Sequence, residues 1–167
     1  MCMPKPKSAA ALAALLFTLA AGLARAGSVD VSYIAPERHA DAGRGLDAER
    51  VRDDLTRLFQ SLGASLLPAD QALHIEVLDI DLAGELLPMY RTMQEVRVLR
   101  GRADWPRLQL RWTLSRGEQV IDSGSATVSD MAYLDHGDRH ADGPLPYETR
   151  MLTQWFRARF APQSPTR

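Results

Sequence analysis

Asp79, Asp81 and Glu85 form the densest acidic group in the chain. In an extended segment, residues two apart share a face about 6 to 7 Å apart. Oxygen ligands so placed could hold Ca²⁺ or Mg²⁺, and two carboxylates could act as general acid and base. The segment lacks the Asp/Asn-and-Gly spacing of an EF-hand. A solvated strand face running into a turn accounts for the same residues, and that reading is preferred.

His136 and His140, with Asp135, Asp138 and Asp142, are the other metal candidates, and weaker ones. Their nitrogen and oxygen atoms suit a divalent metal. Three residues between the imidazoles would place both on one helix face, but the Gly and Asp content describes a loop. His39 and His74 stand alone and read as surface residues. Ser125 and Ser129 sit in no Gly-x-Ser-x-Gly elbow, and the chain has no Gly-rich phosphate loop, dinucleotide fingerprint or His-Glu-x-x-His. Arg97, Arg100, Arg102, Arg107 and Arg111 cluster locally and could grip carboxylate or phosphate. Their expected use is pairing with Asp79, Asp81, Asp104 and Asp122 across strands.

The start of the chain bears on where such chemistry would operate. Lys5 and Lys7 precede an uncharged apolar run from Ala9 to Ala24, and Ala24-Arg25-Ala26 is a small-x-small cleavage site. These three zones describe a secretory signal peptide over residues 1–26. The run is shorter than the roughly 18 residues of a transmembrane span. The only cysteine, Cys2, lies inside the removed segment, so no lipoprotein anchor is expected. The mature protein is expected to be periplasmic or secreted, with no membrane anchor after cleavage. Cleavage leaves 141 of 167 residues, with 17 basic and 21 acidic side chains. That length suits one domain over residues 27–161 with a flexible tail at 162–167. The acidic balance argues against nucleic acid as a partner. Without Lys or Cys, the mature chain has no lysine Schiff base, thiolate nucleophile, disulfide or sulfur-bound zinc, and no cofactor is implied.

The elements that must position these residues follow from periodicity. Residues 29–33 alternate apolar and polar, as a half-buried strand does. From Asp47, apolar Val51, Leu55, Leu58, Phe59 and Leu62 recur at helical spacing, with Gly63 and Pro68 expected to close the helix. In residues 73–82, Leu73, Ile75 and Val77 share one parity and Leu78, Ile80 and Leu82 the other, so either a bulge near Val77-Leu78 or burial on both faces is expected. Residues 84–88 read as a loop, and Val96 and Val98 as part of a strand. A hairpin turning at Arg116-Gly117 joins residues 108–115 to 119–128. Pro144 and Pro146 introduce a last helix with Tyr147, Met151, Leu152, Trp155, Phe156 and Phe160 on one stripe. The expected fold is α+β, a mainly antiparallel four- or five-stranded sheet with two amphipathic helices packed on one face. Trp105, Trp112, Trp155, Phe156 and Phe160 are expected to form one aromatic core, with Trp155→Ala opening a cavity.

Several stretches together resemble a known family: Asp79-Ile80-Asp81-Leu82-Ala83-Gly84-Glu85, Asp104-Trp105-Pro106-Arg107, Ser129-Asp130-Met131-Ala132-Tyr133-Leu134, and Tyr147-Glu148 followed by Met151-Leu152 and Trp155-Phe156. In this order they resemble an exported family of Gram-negative bacteria known as a domain of unknown function, the one numbered three thousand and sixteen. The resemblance implies a periplasmic or secreted setting and brings no activity, cofactor or catalytic residue. It singles out Asp79, Asp81, Glu85, Asp104, Asp130 and Glu148 as a candidate polar site, with capping, turning and arginine pairing as their structural use. Missing catalytic signatures favour a non-catalytic binding or accessory module of the cell envelope, with an envelope protein as partner. A metal-dependent enzyme using Asp79, Asp81 and Glu85 is the alternative. The tripartite start predicts that protein made in a Gram-negative host is recovered from the periplasm beginning at Gly27; an intact mass that retains Met1 would contradict it.

Overall fold

The computed structural model describes residues 27–89, 94–136 and 143–161. The expected signal peptide, the tail, and Asp138, His140 and Asp142 lie outside the described residues. The elements run β1 (Ser28–Tyr33), α1 (Leu46–Leu66), β2 (Gln71–Asp81), β3 (Glu85–Met89), β4 (Gln94–Val98), β5 (Arg107–Arg116), β6 (Gln119–Ser129) and α2 (Pro146–Phe160). Four strands make one sheet in the order β1-β2-β5-β6, and β3 and β4 make a separate ribbon.

The four-stranded sheet is mixed: β2–β5 and β5–β6 pair antiparallel, in line with the mainly antiparallel sheet expected, but the edge strand β1 pairs with β2 in parallel, from Ser28↔Ala72 to Tyr33↔Val77. Strands on either side of a helix run parallel when that helix is the crossover between them, and α1 is that crossover. It also runs past Gly63, the expected stop, to Leu66. Gly63 is there for closeness, because a Cβ at that position would lie 2.1 Å from Val29 Cγ2. α1 thereby presses against β1. Pro68 holds Leu67 extended and ends the helix.

The parity switch in β2 is a bulge. Val77 pairs with Leu110 and Asp79 with Gln109, leaving Leu78 as the extra residue. Leu73, Ile75 and Val77 before it and Ile80 after it are all buried on the helix side. The loop expected at 84–88 is instead β3, paired with β4 from Glu85↔Val98 to Met89↔Gln94. Pro88 masked it, yet a two-stranded ribbon has open edges that tolerate a residue without an N–H.

Both helices pack on one face. Leu55, Phe59, Leu152 and Phe156 are buried with Ile75, Leu108, Leu110 and Trp112. Trp112 and Trp155 each meet Phe160 edge to face, at 5.3 and 5.5 Å between centroids. Trp105 stands apart from this cluster. Pro106, Leu108, Leu110 and Trp112 take the inward parity and are buried, so Trp105 is turned the other way and is half-buried. His39, expected at the surface, is also half-buried and meets the Ile34 carbonyl at 3.1 Å. Among the described residues no helix is long and apolar enough to cross a membrane.

The structure moves the expected weight of the final helix. Trp155 packs at the margin of the core, whereas Phe156 has no exposure. Phe156→Ala should therefore cost roughly 3 to 5 kcal/mol, lowering the melting temperature by roughly 10 °C or more, and Trp155→Ala distinctly less. Melting curves showing the reverse order would contradict this packing.

Candidate functional site

The segment after β1 lies along the far end of β2. The Asp41 N–H donates to the Ile80 carbonyl at 2.9 Å, and the Leu82 N–H donates to the Asp41 carbonyl at 3.0 Å. This brings the Asp41 side chain to the point where β2 turns into β3. Arg97 reaches the same point from β4, with Asp41 accepting from its Nη1 at 2.8 Å and from its Nη2 at 3.3 Å. The same Nη1 donates to the carbonyls of Ala83 at 3.2 Å and Gly84 at 2.9 Å. One guanidinium thus ties together the loop after β1, the β2–β3 turn and β4. A planar fork suits this pattern in a way an ammonium would not.

The turn is held from the other side as well. The Ala83 N–H donates to Glu148 Oε1 at 2.8 Å, joining the first turn of α2 to it. Gly84 has φ +81°, and a Cβ there would lie 2.7 Å from the Val98 carbonyl oxygen, so only glycine fits. Glu148 is 3 % exposed. Burial pushes its carboxyl above the ordinary carboxylate range, opposed by the Ala83 amide, by its own amide and by the Arg97 charge, while Asp41 adds a smaller push upward.

Beside this junction is a cleft of about 440 Å³ whose walls include Asp41, Asp81, Glu85, Arg100, Asp104, Trp105 and Arg107. Asp81 accepts from Arg107 at 3.0 Å, as the sequence led one to expect. Burial pushes the Asp81 carboxyl up; Arg107 opposes this, and the negative charges of Asp79 and Asp41 add to it. Glu85 pairs with Arg100 at 2.9 Å. Asp104 accepts from the Arg100 N–H at 2.7 Å and from the Tyr133 hydroxyl at 2.8 Å. Tyr133 is buried, and burial together with its hydrogen bond to Asp104 holds its hydroxyl up at about 12. Asp79 accepts from the Ala40 N–H at 2.8 Å and so anchors the loop that carries Asp41.

Of the six candidate residues, Asp81, Glu85 and Asp104 meet around the cleft and Asp79 stands behind Asp81. Asp130 lies elsewhere: it accepts from the Ala132 N–H at 3.1 Å and from Arg150 Nη2 at 2.6 Å. Glu148 does not line this cleft and belongs to the wall of a smaller cavity. Several expected pairings differ, because Arg111 meets Glu76, Arg97 meets Asp41, and Asp122 pairs with Arg159. Arg102 lies 3.7 Å from Asp135. Among the described residues, no three His, Cys, Asp or Glu side chains group as metal ligands. His136 lies 3.5 Å from Asp130. Sequence reasoning missed Asp41, whose loop carries no periodicity, and Arg150, although its place one turn after Tyr147-Glu148 was a usable signal.

At this junction Ala83, Gly84 and Glu148 come from the stretches that carried the family resemblance, whereas Asp41 and Arg97 lie outside them. A family model described as Protein of unknown function (DUF3016) matches residues 27–158. The chain is a DUF3016 protein. No curated protein and no solved structure matches the chain. The DUF3016 match takes in every described strand and nearly all of α2, so the junction and the cleft both belong to the family domain.

The buried carboxyl of Glu148 gives the domain a pH dependence of definite sign. Its folded value is raised, so its contribution is fully present below the unfolded value of 4.5 and is lost as pH rises through the folded value. Glu148→Gln keeps an oxygen for the Ala83 N–H and does not titrate. The stability of wild type relative to Glu148→Gln should fall as pH rises from 4.5 toward neutral. Denaturant melts at stepped pH check this, and a flat or rising difference would contradict it.

Proposed function

We propose that this DUF3016 domain is a non-catalytic binding module that works in the bacterial cell envelope after export, with the cleft beside Trp105 as its binding site. One observation carries the reading: the carboxylates lining the cleft are each engaged by arginines, backbone N–H groups or Tyr133, so they build walls. A general acid or base needs a proton-transfer position turned toward substrate. Trp105, half-buried on the cleft wall, supplies an aromatic surface amid paired charges, a mixture suited to holding a polar ligand. Export is supported by the basic, apolar and small-x-small zones of residues 1–26. An envelope protein remains the proposed partner class, and the open face of the sheet, with Gln109, Arg111 and Ser125 exposed, gives it a polar surface to meet.

The three tryptophan indoles separate this reading from its rivals. Spectra of ¹⁵N-labelled protein titrated with muropeptides, sugar phosphates and polyamines should show at least one class that shifts the Trp105 indole and leaves the Trp155 indole in place. The bound compound should be recovered unchanged. Failure of every class to move Trp105, or chemical conversion of the compound, would overturn the reading.

A further inference from the structure

We propose that the cavity between the first turn of α2 and the β3–β4 ribbon binds a small free aliphatic amine, its ammonium meeting Glu148 and its carbon body lying against Leu82, Leu99 and Tyr147. This cavity has a volume of about 200 Å³, and its walls also include Ala83, Pro144, Leu145 and Pro146. The proposal goes beyond the cleft reading and does not depend on it, since the two spaces have separate linings that share only Leu82.

The chemistry of the walls selects the ligand. They are apolar apart from two charged groups, Arg97 and Glu148. Both terminal nitrogens of Arg97 are already given to Asp41 and to the carbonyls of Ala83 and Gly84, so its charge is answered within the fold. Glu148 is the remaining acid, buried to 3 % exposure and joined to the protein through the Ala83 N–H at 2.8 Å. Burial holds the Glu148 carboxyl back from ionising, and because the Arg97 charge that opposes this is itself shared with Asp41, a second cation would favour the ionised form. An ammonium entering the cavity supplies that cation, and the Tyr147 ring on the same wall adds an attractive aromatic face. The size matters too: sites for drug-sized ligands run from about 300 to 1,000 Å³, so this one suits a body of a few carbons. Because the amine binds ionised Glu148, linkage requires affinity to increase with pH until Glu148 is fully ionised.

The test uses isopentylamine, isopentanol and Nα-acetyllysine amide, titrated into the ¹⁵N-labelled protein at pH 6 and pH 8. Isopentylamine should shift the Ala83 and Tyr147 amides saturably, at least tenfold more tightly than the alcohol of the same carbon body, and more tightly at pH 8 than at pH 6. Glu148→Gln with an unchanged circular dichroism spectrum should lose at least tenfold in amine affinity. Leu99→Trp, which adds bulk at an exposed rim position and leaves Glu148 in place, should block the amine as well. Equal affinity for amine and alcohol, no saturable shift, affinity retained in either variant, or binding of the acetyllysine amide alone would each overturn the proposal.

Discussion

The fold turns on one guanidinium. Arg97 is gripped by Asp41 through two hydrogen bonds and donates to two backbone carbonyls in the β2–β3 turn. Without it the ribbon of β3 and β4 would have little tying it to the sheet, since a two-stranded ribbon alone is marginal in water. The grip also explains what surrounds it. Gly84 must be glycine for the ribbon to come close, Asp79 must hold the Ala40 amide for Asp41 to arrive, and Glu148 must reach across from α2 to hold Ala83. Directly bonded partners as much as 65 positions apart in the chain therefore meet at one turn.

This network recasts the acidic motif around which the sequence is organised. Asp79 and Asp81 do share a side of β2, beyond the bulge, but they serve different masters: one a backbone amide, the other Arg107. Engaged carboxylates of this kind are costly to remove, because the partner is left without its countercharge or acceptor. From residue 27 onward the chain has Arg and no Lys, so guanidinium forks are the means by which such charges are matched. The cleft is a by-product of these pairings, and its mixed charge and single aromatic wall follow from them.

How far the residues alone disclosed this depends on the scale of the feature. Strict alternation in β5 and the apolar stripe of α2 fixed their buried faces, because those patterns report burial directly. The bulge at Leu78 was legible as a break in parity. Strand direction was not, since alternation is the same in parallel and antiparallel strands; only the helix between β1 and β2 hinted at it. β3 was hidden by Pro88, and Trp105 was drawn into the core by its type when its odd parity against Pro106 should have kept it out. Within the candidate site the polar residues were found and their partners largely were not. Pairings such as Asp41 with Arg97 join segments that are 56 positions apart, and no local pattern encodes them.

The central claim is that the carboxylates of the Asp79-to-Glu85 motif hold the fold and the cleft together and are not ligands awaiting a metal. Melting temperatures of wild type and Asp81→Asn, each in buffer and with saturating Ca²⁺, Mg²⁺ or Mn²⁺, test it most directly. A bound metal at 100 times its Kd would add about 2.7 kcal/mol, several degrees for a domain of this size. The account predicts that Asp81→Asn melts lower in buffer alone and that no metal moves either protein. A metal-dependent rise in wild type that disappears in Asp81→Asn would contradict it.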